Sequence, residues 1–158
     1  MNYYRNTTLT AAANAQDEAE RSCRFREWLD TFYLNDDEKR IEMLEEEPPL
    51  CTPHWDAIFA AAVSWLAHKM NRSAPEWTRK NCRRLHSPYR IRKDPCSVAA
   101  SYDRDRAPAE FFNRNLYIGP EILFRARMPL EWIPKPKNWE IKLAKYLQKK
   151  RKKDHPNQ

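Results

Sequence analysis

The stretch TPHWDAIFAAAVSWLAHKM, residues 52–70, decides the fold. Thr52 is an N-cap residue and Pro53 occupies the first helical position, where its missing N–H costs nothing. Trp55, Ile58, Phe59, Ala62, Leu66 and Met70 then trace one apolar face on a 3.6-residue period. Alanines at 57, 60, 61, 62 and 67 let neighbouring helices come close, so this helix is predicted to be the centre of the core.

Working outward, the same period recurs upstream. Phe25, Trp28, Leu29 and Phe32 fall at i, i+3, i+4 and i+7, and no Gly or Pro interrupts the run from Thr10 to Tyr33, which predicts one long helix. Asn35 is the expected N-cap of a shorter helix that buries Ile41 and Leu44, and Pro48-Pro49 ends it. Downstream, Ser73-Ala74-Pro75-Glu76 predicts a short helix through Trp77 toward Leu85. Further brief helices are expected at 97–102, from Pro108 and after Gly119-Pro120. Leu116-Tyr117-Ile118 is the one segment with a β reading. A last helix from about Asn138 places Trp139, Leu143, Tyr146 and Leu147 near one face. The expected class is all-α: short, Pro-punctuated helices around the central one, with at most a minor strand near 116–118. One domain is expected over 1–134, acidic in 1–50 and basic in 51–134, with 135–158 a basic helix and tail.

Composition supports a folded chain and removes many enzyme classes. The 158 residues carry 41% hydrophobic and 12% aromatic residues at a mean hydropathy of −0.96, enough apolar mass for a core. Only Gly119 stands against twelve prolines. P-loops, dinucleotide fingerprints and G-x-S-x-G elbows require glycine for positive φ or close ligand approach, so none can be written here. Apolar runs are too short to span a bilayer, and Met1-Asn2-Tyr3-Tyr4-Arg5 does not open a signal peptide, so a cytoplasmic protein without a membrane partner is expected. Cys23, Cys51, Cys82 and Cys96 are widely spread and read as reduced thiols.

Charge is divided along the chain. Residues 1–50 hold 6 Lys and Arg against 12 Asp and Glu, and residues 51–158 hold 23 against 10, within a total of +7. The basic part either meets an anionic partner or pairs with the acidic part. Residues 135–153 contain nine Lys and Arg, with Glu140 the sole acid. Arg83, Arg84, Arg90, Arg92 and Lys93, together with Lys145, Lys149, Lys150, Arg151, Lys152 and Lys153, are the candidates for contact with nucleic acid phosphates.

Cys51, His54, Cys82 and His86 have roughly zinc-ligand spacing, but Cys-His followed by Cys-His is an unusual order, and Cys82 with His86 is an ordinary i, i+4 helical pair. No metal and no cofactor are predicted. His54, His68 and His86 lack any local triad signature, so a hydrolase or nuclease is the least supported class.

The segments Ser64-Trp65-Leu66-Ala67-His68, Ala74-Pro75-Glu76-Trp77-Thr78, Ser87-Pro88-Tyr89 and Ala107-Pro108-Ala109-Glu110-Phe111-Phe112-Asn113-Arg114-Asn115-Leu116-Tyr117-Ile118 share a rhythm of prolines and aromatics. This block, residues 55–127, resembles a bacterial toxin-antitoxin-associated module. In that family a similar block follows a helix-turn-helix domain and accompanies a nucleotidyltransferase-type toxin. The resemblance implies a non-enzymatic, antitoxin-like or regulatory protein whose partner is a toxin or enzyme subunit. The acidic residues 1–50 depart from it, because a helix-turn-helix needs a basic recognition helix. Trp77, Tyr89, Phe111, Phe112 and Tyr117 are the candidate partner anchors, and two of them exposed in one patch would mark a protein interface. The alternative reading is a nucleic-acid-binding accessory protein using the basic C-terminal segment.

Overall fold

The computed structural model describes residues 7–91 and 98–154. Seven α-helices lie among them: α1 (Leu9–Ala13), α2 (Glu18–Leu34), α3 (Asp37–Glu45), α4 (Pro53–Lys69), α5 (Val98–Arg106), α6 (Ala109–Phe112) and α7 (Asn138–Asp154). Four short 3₁₀ turns separate them: Glu76–Arg79, Asn81–Arg83, Pro120–Leu123 and Leu130–Trp132. The fold is all-α, and the only β pairing among the described residues is one parallel bridge between Tyr89 and Leu116.

Helix α4 occupies the centre. Every residue from Trp55 to Ala67 is buried, including Asp56 and Ser64, so the helix is surrounded rather than half-faced. Its C-terminus closes in a Schellman motif, with Arg72 N–H donating to Ala67 C=O at 2.9 Å and Asn71 N–H to His68 C=O at 2.9 Å. Asn71 supplies the left-handed residue, φ 55°, a place glycine usually takes.

The aromatic stripe of α2 packs on α4. Phe25 meets Trp55 edge-on at 5.6 Å and Phe59 at 5.8 Å, and Trp28 and Phe32 are fully buried beside them. Trp132 joins the core from the far end of the chain, 6.2 Å from Tyr33 and 6.3 Å from Trp65. The Tyr33 hydroxyl donates to Leu123 C=O at 2.8 Å, and burial pushes its pKa far above the ordinary tyrosine range.

Several boundaries differ from those expected. The long helix over 10–33 is two helices, because Asp17 caps α2 by accepting from Glu20 N–H at 2.8 Å while Glu20 accepts from Gln16 N–H at 2.8 Å. Asn35 closes α2 instead of opening α3. Its Nδ2 donates to Thr31 C=O at 2.7 Å, and Asp36 caps α3 through Lys39 N–H at 3.0 Å. The expected helix from Pro75 to Leu85 is a pair of 3₁₀ turns, and the segment after Gly119-Pro120 is a third.

The acidic and basic parts of the chain meet. Arg125 grips Asp30 with two bonds of 2.7 and 2.6 Å, and Lys80 holds both oxygens of Glu47 at 2.9 and 2.8 Å. Helix α7 is tied to the body through Glu140, 3.3 Å from Arg106, and through Lys137, whose Nζ donates to Asp105 C=O at 3.4 Å.

Candidate functional site

Two arginines adjacent in sequence take opposite positions. Arg83, expected to face phosphate, is 1% exposed. Its Nη2 donates to Pro48 C=O, its Nη1 lies 3.7 Å from Asp56 Oδ1, and its guanidinium sits 5.1 Å from the Trp77 ring centre. It is therefore a core residue, held by a buried carboxylate and a ring face. Arg84 points outward, with Nη2 donating to Asn113 C=O at 2.8 Å.

That bond starts a ribbon in which residues 84–90 run beside 113–117. Leu85 N–H donates to Arg114 C=O at 3.2 Å, Tyr89 N–H to Asn115 C=O at 2.8 Å, and Tyr117 N–H to Tyr89 C=O at 2.9 Å. Asn115 adopts φ 60°, and its Nδ2 donates across to Leu85 C=O at 2.7 Å. At one end of the ribbon Arg79, Lys80, Arg84 and Arg114 line a hollow of about 220 Å³ with Thr78 and Asn113. Phe112, next in sequence to Asn113 of the hollow, stacks on Tyr117 at 5.5 Å with ring planes 9° apart, and the Arg90 guanidinium lies 4.9 Å over Tyr117.

Arg114 is the keystone of the hollow. Its Nη1 donates to Glu110 C=O at 2.7 Å, and its Nη2 to Thr78 C=O at 2.9 Å and Ser64 Oγ at 3.1 Å. Burial lowers its pKa from the ordinary arginine value, with Arg84 repelling it against the attraction of Glu110.

A larger cleft of about 630 Å³ opens on another face. Its floor is Phe25, Trp55, Ile58 and Phe124, and Glu18, Glu121, Arg26 and Arg125 stand at its edges. Glu18 is fixed there by Trp55 Nε1 at 2.7 Å and His54 Nε2 at 3.1 Å. Burial raises its pKa, but the hydrogen bonds from Trp55 and His54 outweigh that and leave it below the usual carboxylate value. Tyr89 borders the cleft and stacks on His54 at 4.7 Å.

Of the five aromatic anchors, Trp77 and Phe111 are core residues, 5% and 0% exposed, and leave the candidate set. Trp77 is held by its Nε1 donating to Leu44 C=O at 3.2 Å. Phe112 is exposed, while Tyr89 and Tyr117 are half-buried, so no two exposed anchors share a patch. Lys145 and Lys149 are exposed on α7. Positions 142, 145, 149, 152 and 153 share one stripe of that helix by register. Arg92 and Lys93 lie outside the described residues, as do Cys96 and the side chains of Lys150, Arg151, Lys152 and Lys153.

The Cys/His pairs do not converge. Cys51 Sγ contacts Asp56 Oδ1 at 3.4 Å and burial pushes its thiol pKa up, His54 is bound to Glu18, and Cys82 and His86 are exposed. Among the described residues no three His, Cys, Asp or Glu side chains gather as a metal would require. His68 Nδ1 lies 2.9 Å from Glu110 Oε1, linking the end of α4 to α6. No helix among the described residues is long and apolar enough to cross a membrane.

Sequence reasoning missed Arg114, because its partners Ser64 and Thr78 are 50 and 36 residues away. It also missed Phe124 and Arg26 as parts of one cleft. Comparison of the chain with protein-family models, curated proteins and solved structures finds no match.

Proposed function

We propose that this chain is a non-enzymatic, regulatory or antitoxin-like binding protein that receives an apolar segment of a partner protein in the cleft between α2, α4 and residues 121–125. The observation that carries this reading is the cleft's composition: a floor of Phe25, Trp55, Ile58 and Phe124 within a rim bearing both signs of charge. An apolar centre with a polar rim is the anatomy of a protein-recognition surface. Ile91, 62% exposed at the cleft's edge, adds apolar area that a partner would cover. Glu18 and Arg125 are already engaged within the chain, by Trp55 and His54 and by Asp30, so the rim is ordered before anything binds.

The test is affinity capture of the tagged protein from native lysate, treated with nuclease, beside an Ala19→Arg/Ile91→Asp variant. Both positions are exposed and line the cleft, so the variant should melt with the parent. A stoichiometric protein held by the parent and lost by the variant supports the reading. Equal capture by both, or no stoichiometric protein, refutes it.

A further inference from the structure

Three guanidiniums of the hollow are held differently from those that carboxylates pair elsewhere in the fold. Arg125, Arg40 and Arg106 are each paired with carboxylates: Asp30, Asp37, and Glu121 with Glu140. Arg79, Arg84 and Arg114 instead donate to carbonyl oxygens, those of Ala74, Asn113, and Glu110 with Thr78. A carbonyl fixes a guanidinium's direction but leaves its charge in place. No carboxylate lines the hollow, and the fourth cation, Lys80, is balanced by Glu47. Arg79 and Arg84, which hold no carboxylate, and Arg114, whose charge Glu110 only partly offsets, thus face one small space, the arrangement that recognises phosphate.

The ribbon sets a ring platform beside that space. Tyr117 follows Arg114 by three residues, at most about 11 Å of chain, and Phe112, 46% exposed, precedes Arg114 by two. A phosphoserine peptide would satisfy the hollow alone. A polymer that alternates phosphates with flat rings satisfies the hollow and the platform together.

We infer that the ribbon of residues 84–90 and 113–117 is a binding site for single-stranded nucleic acid, with a backbone phosphate in the Arg79–Arg84–Arg114 hollow and a base on the Phe112–Tyr117 stack. Tyr89 of the ribbon also borders the apolar cleft, whereas the hollow shares no lining residue with it. Base–aromatic stacking is tolerant of sequence, and phosphate contacts give salt dependence, so the site reads strandedness and backbone rather than base identity.

The experiment is fluorescence anisotropy of the full chain with labelled 12-mers of oligo-dT, oligo-U and an abasic phosphate backbone, and with a phosphoserine peptide. The variants are Arg79→Glu/Arg84→Glu, Phe112→Ala and, for α7, Lys145→Glu/Lys149→Glu. The parent should prefer both base-bearing oligomers over the abasic one and over the peptide. Phe112→Ala should weaken oligomer binding by about five- to a hundredfold, the loss of one stacked base. Arg79→Glu/Arg84→Glu should weaken it at least tenfold and flatten its salt dependence. Phe112 is a surface side chain, so its variant keeps the test decisive even if the double arginine variant loses stability. The inference is overturned if the parent binds no oligomer, if the abasic chain or the peptide binds as well as oligo-dT, or if only the α7 variant loses affinity.

Discussion

In the first half of the molecule, residues 9–69, α2 and α4 press rings and alanines together, and the side chains of Thr8, Asp17 and Asp36 cap α1, α2 and α3. In the second, residues 74–132, the elements other than α5 are three or four residues long, and arginines reach across to carbonyl oxygens and ring faces to hold them. Arg114 alone links Glu110, Thr78 and Ser64, and Arg83 links Pro48, Asp56 and the ring of Trp77. Apolar periodicity builds the one, and side-chain to backbone bonding builds the other. The contrast teaches that a chain nearly free of glycine can fold irregular segments tightly if long cationic side chains satisfy the carbonyls that a helix or sheet would satisfy.

The sharpest test of the contrast is a matched pair of truncations. Phe59→Ala removes a fully buried ring from the helical half, and Arg83→Ala removes from the other the guanidinium that faces the buried Asp56 carboxylate. Each should cost about 3–5 kcal/mol, which is a fall of roughly 6–20 °C in melting midpoint for a domain of this size. An Arg83→Ala midpoint within 3 °C of the parent would show that the second half does not depend on its arginines.

Asn115 gives the next largest effect. Asn115→Ala loses the bond to Leu85 and also forces a Cβ-bearing residue without a polar side chain into the left-handed region, about 2–3 kcal/mol together. Asn115→Gly keeps the conformation and loses only the bond, so it should cost about 1 kcal/mol. Thermal melts of the two variants separate the terms, and equal losses would break the assignment.

The junction between the halves should be weaker. A double-mutant cycle on Asp30 and Arg125 is expected to give a coupling of about 1 kcal/mol, at the upper end for partly exposed pairs. A zero coupling would remove this pair from the contacts that join the two halves.

Acid gives the shallowest effect. The hydrogen bond from Lys80 lowers the pKa of Glu47, and Glu18 is also below the usual carboxylate value. The unfolded chain therefore takes up these protons first as pH falls. Their contribution is complete above about pH 4.5 and disappears as pH drops through the lower folded values. Melting midpoints should be flat above pH 6 and decline below 4.5, less so in Glu47→Gln. An unchanged decline in that variant would remove Glu47 from the account.

The helical half is largely legible in sequence. The period of Trp55 to Met70 and of Phe25 to Phe32 names the core, because a long amphipathic stripe has one way to face inward. The break at 14–17 hides behind strong helix formers, although Asp17 and Glu20 carry a capping-box spacing. In the other half the period is too short to read. Phe111 and Phe112 are neighbours on a four-residue helix, one fully buried and one exposed, and Arg83 and Arg84 divide in the same way. The hollow was half visible: Arg79, Lys80 and Arg84 stand in one basic cluster, but Arg114 arrives from 30 residues beyond Arg84 by a long-range bond that no local pattern encodes.

Asn71 and Asn115 occupy the two left-handed positions of the described chain. Asparagine, unlike glycine, ages: its amide hydrolyses to a carboxylate, and heat speeds the loss. At position 115 the product would turn a donor into an acceptor facing the Leu85 oxygen, and would set a negative charge next to Arg114. Loss of the Asn115 amide would therefore remove the side-chain bond that ties the two segments of the ribbon together at Leu85.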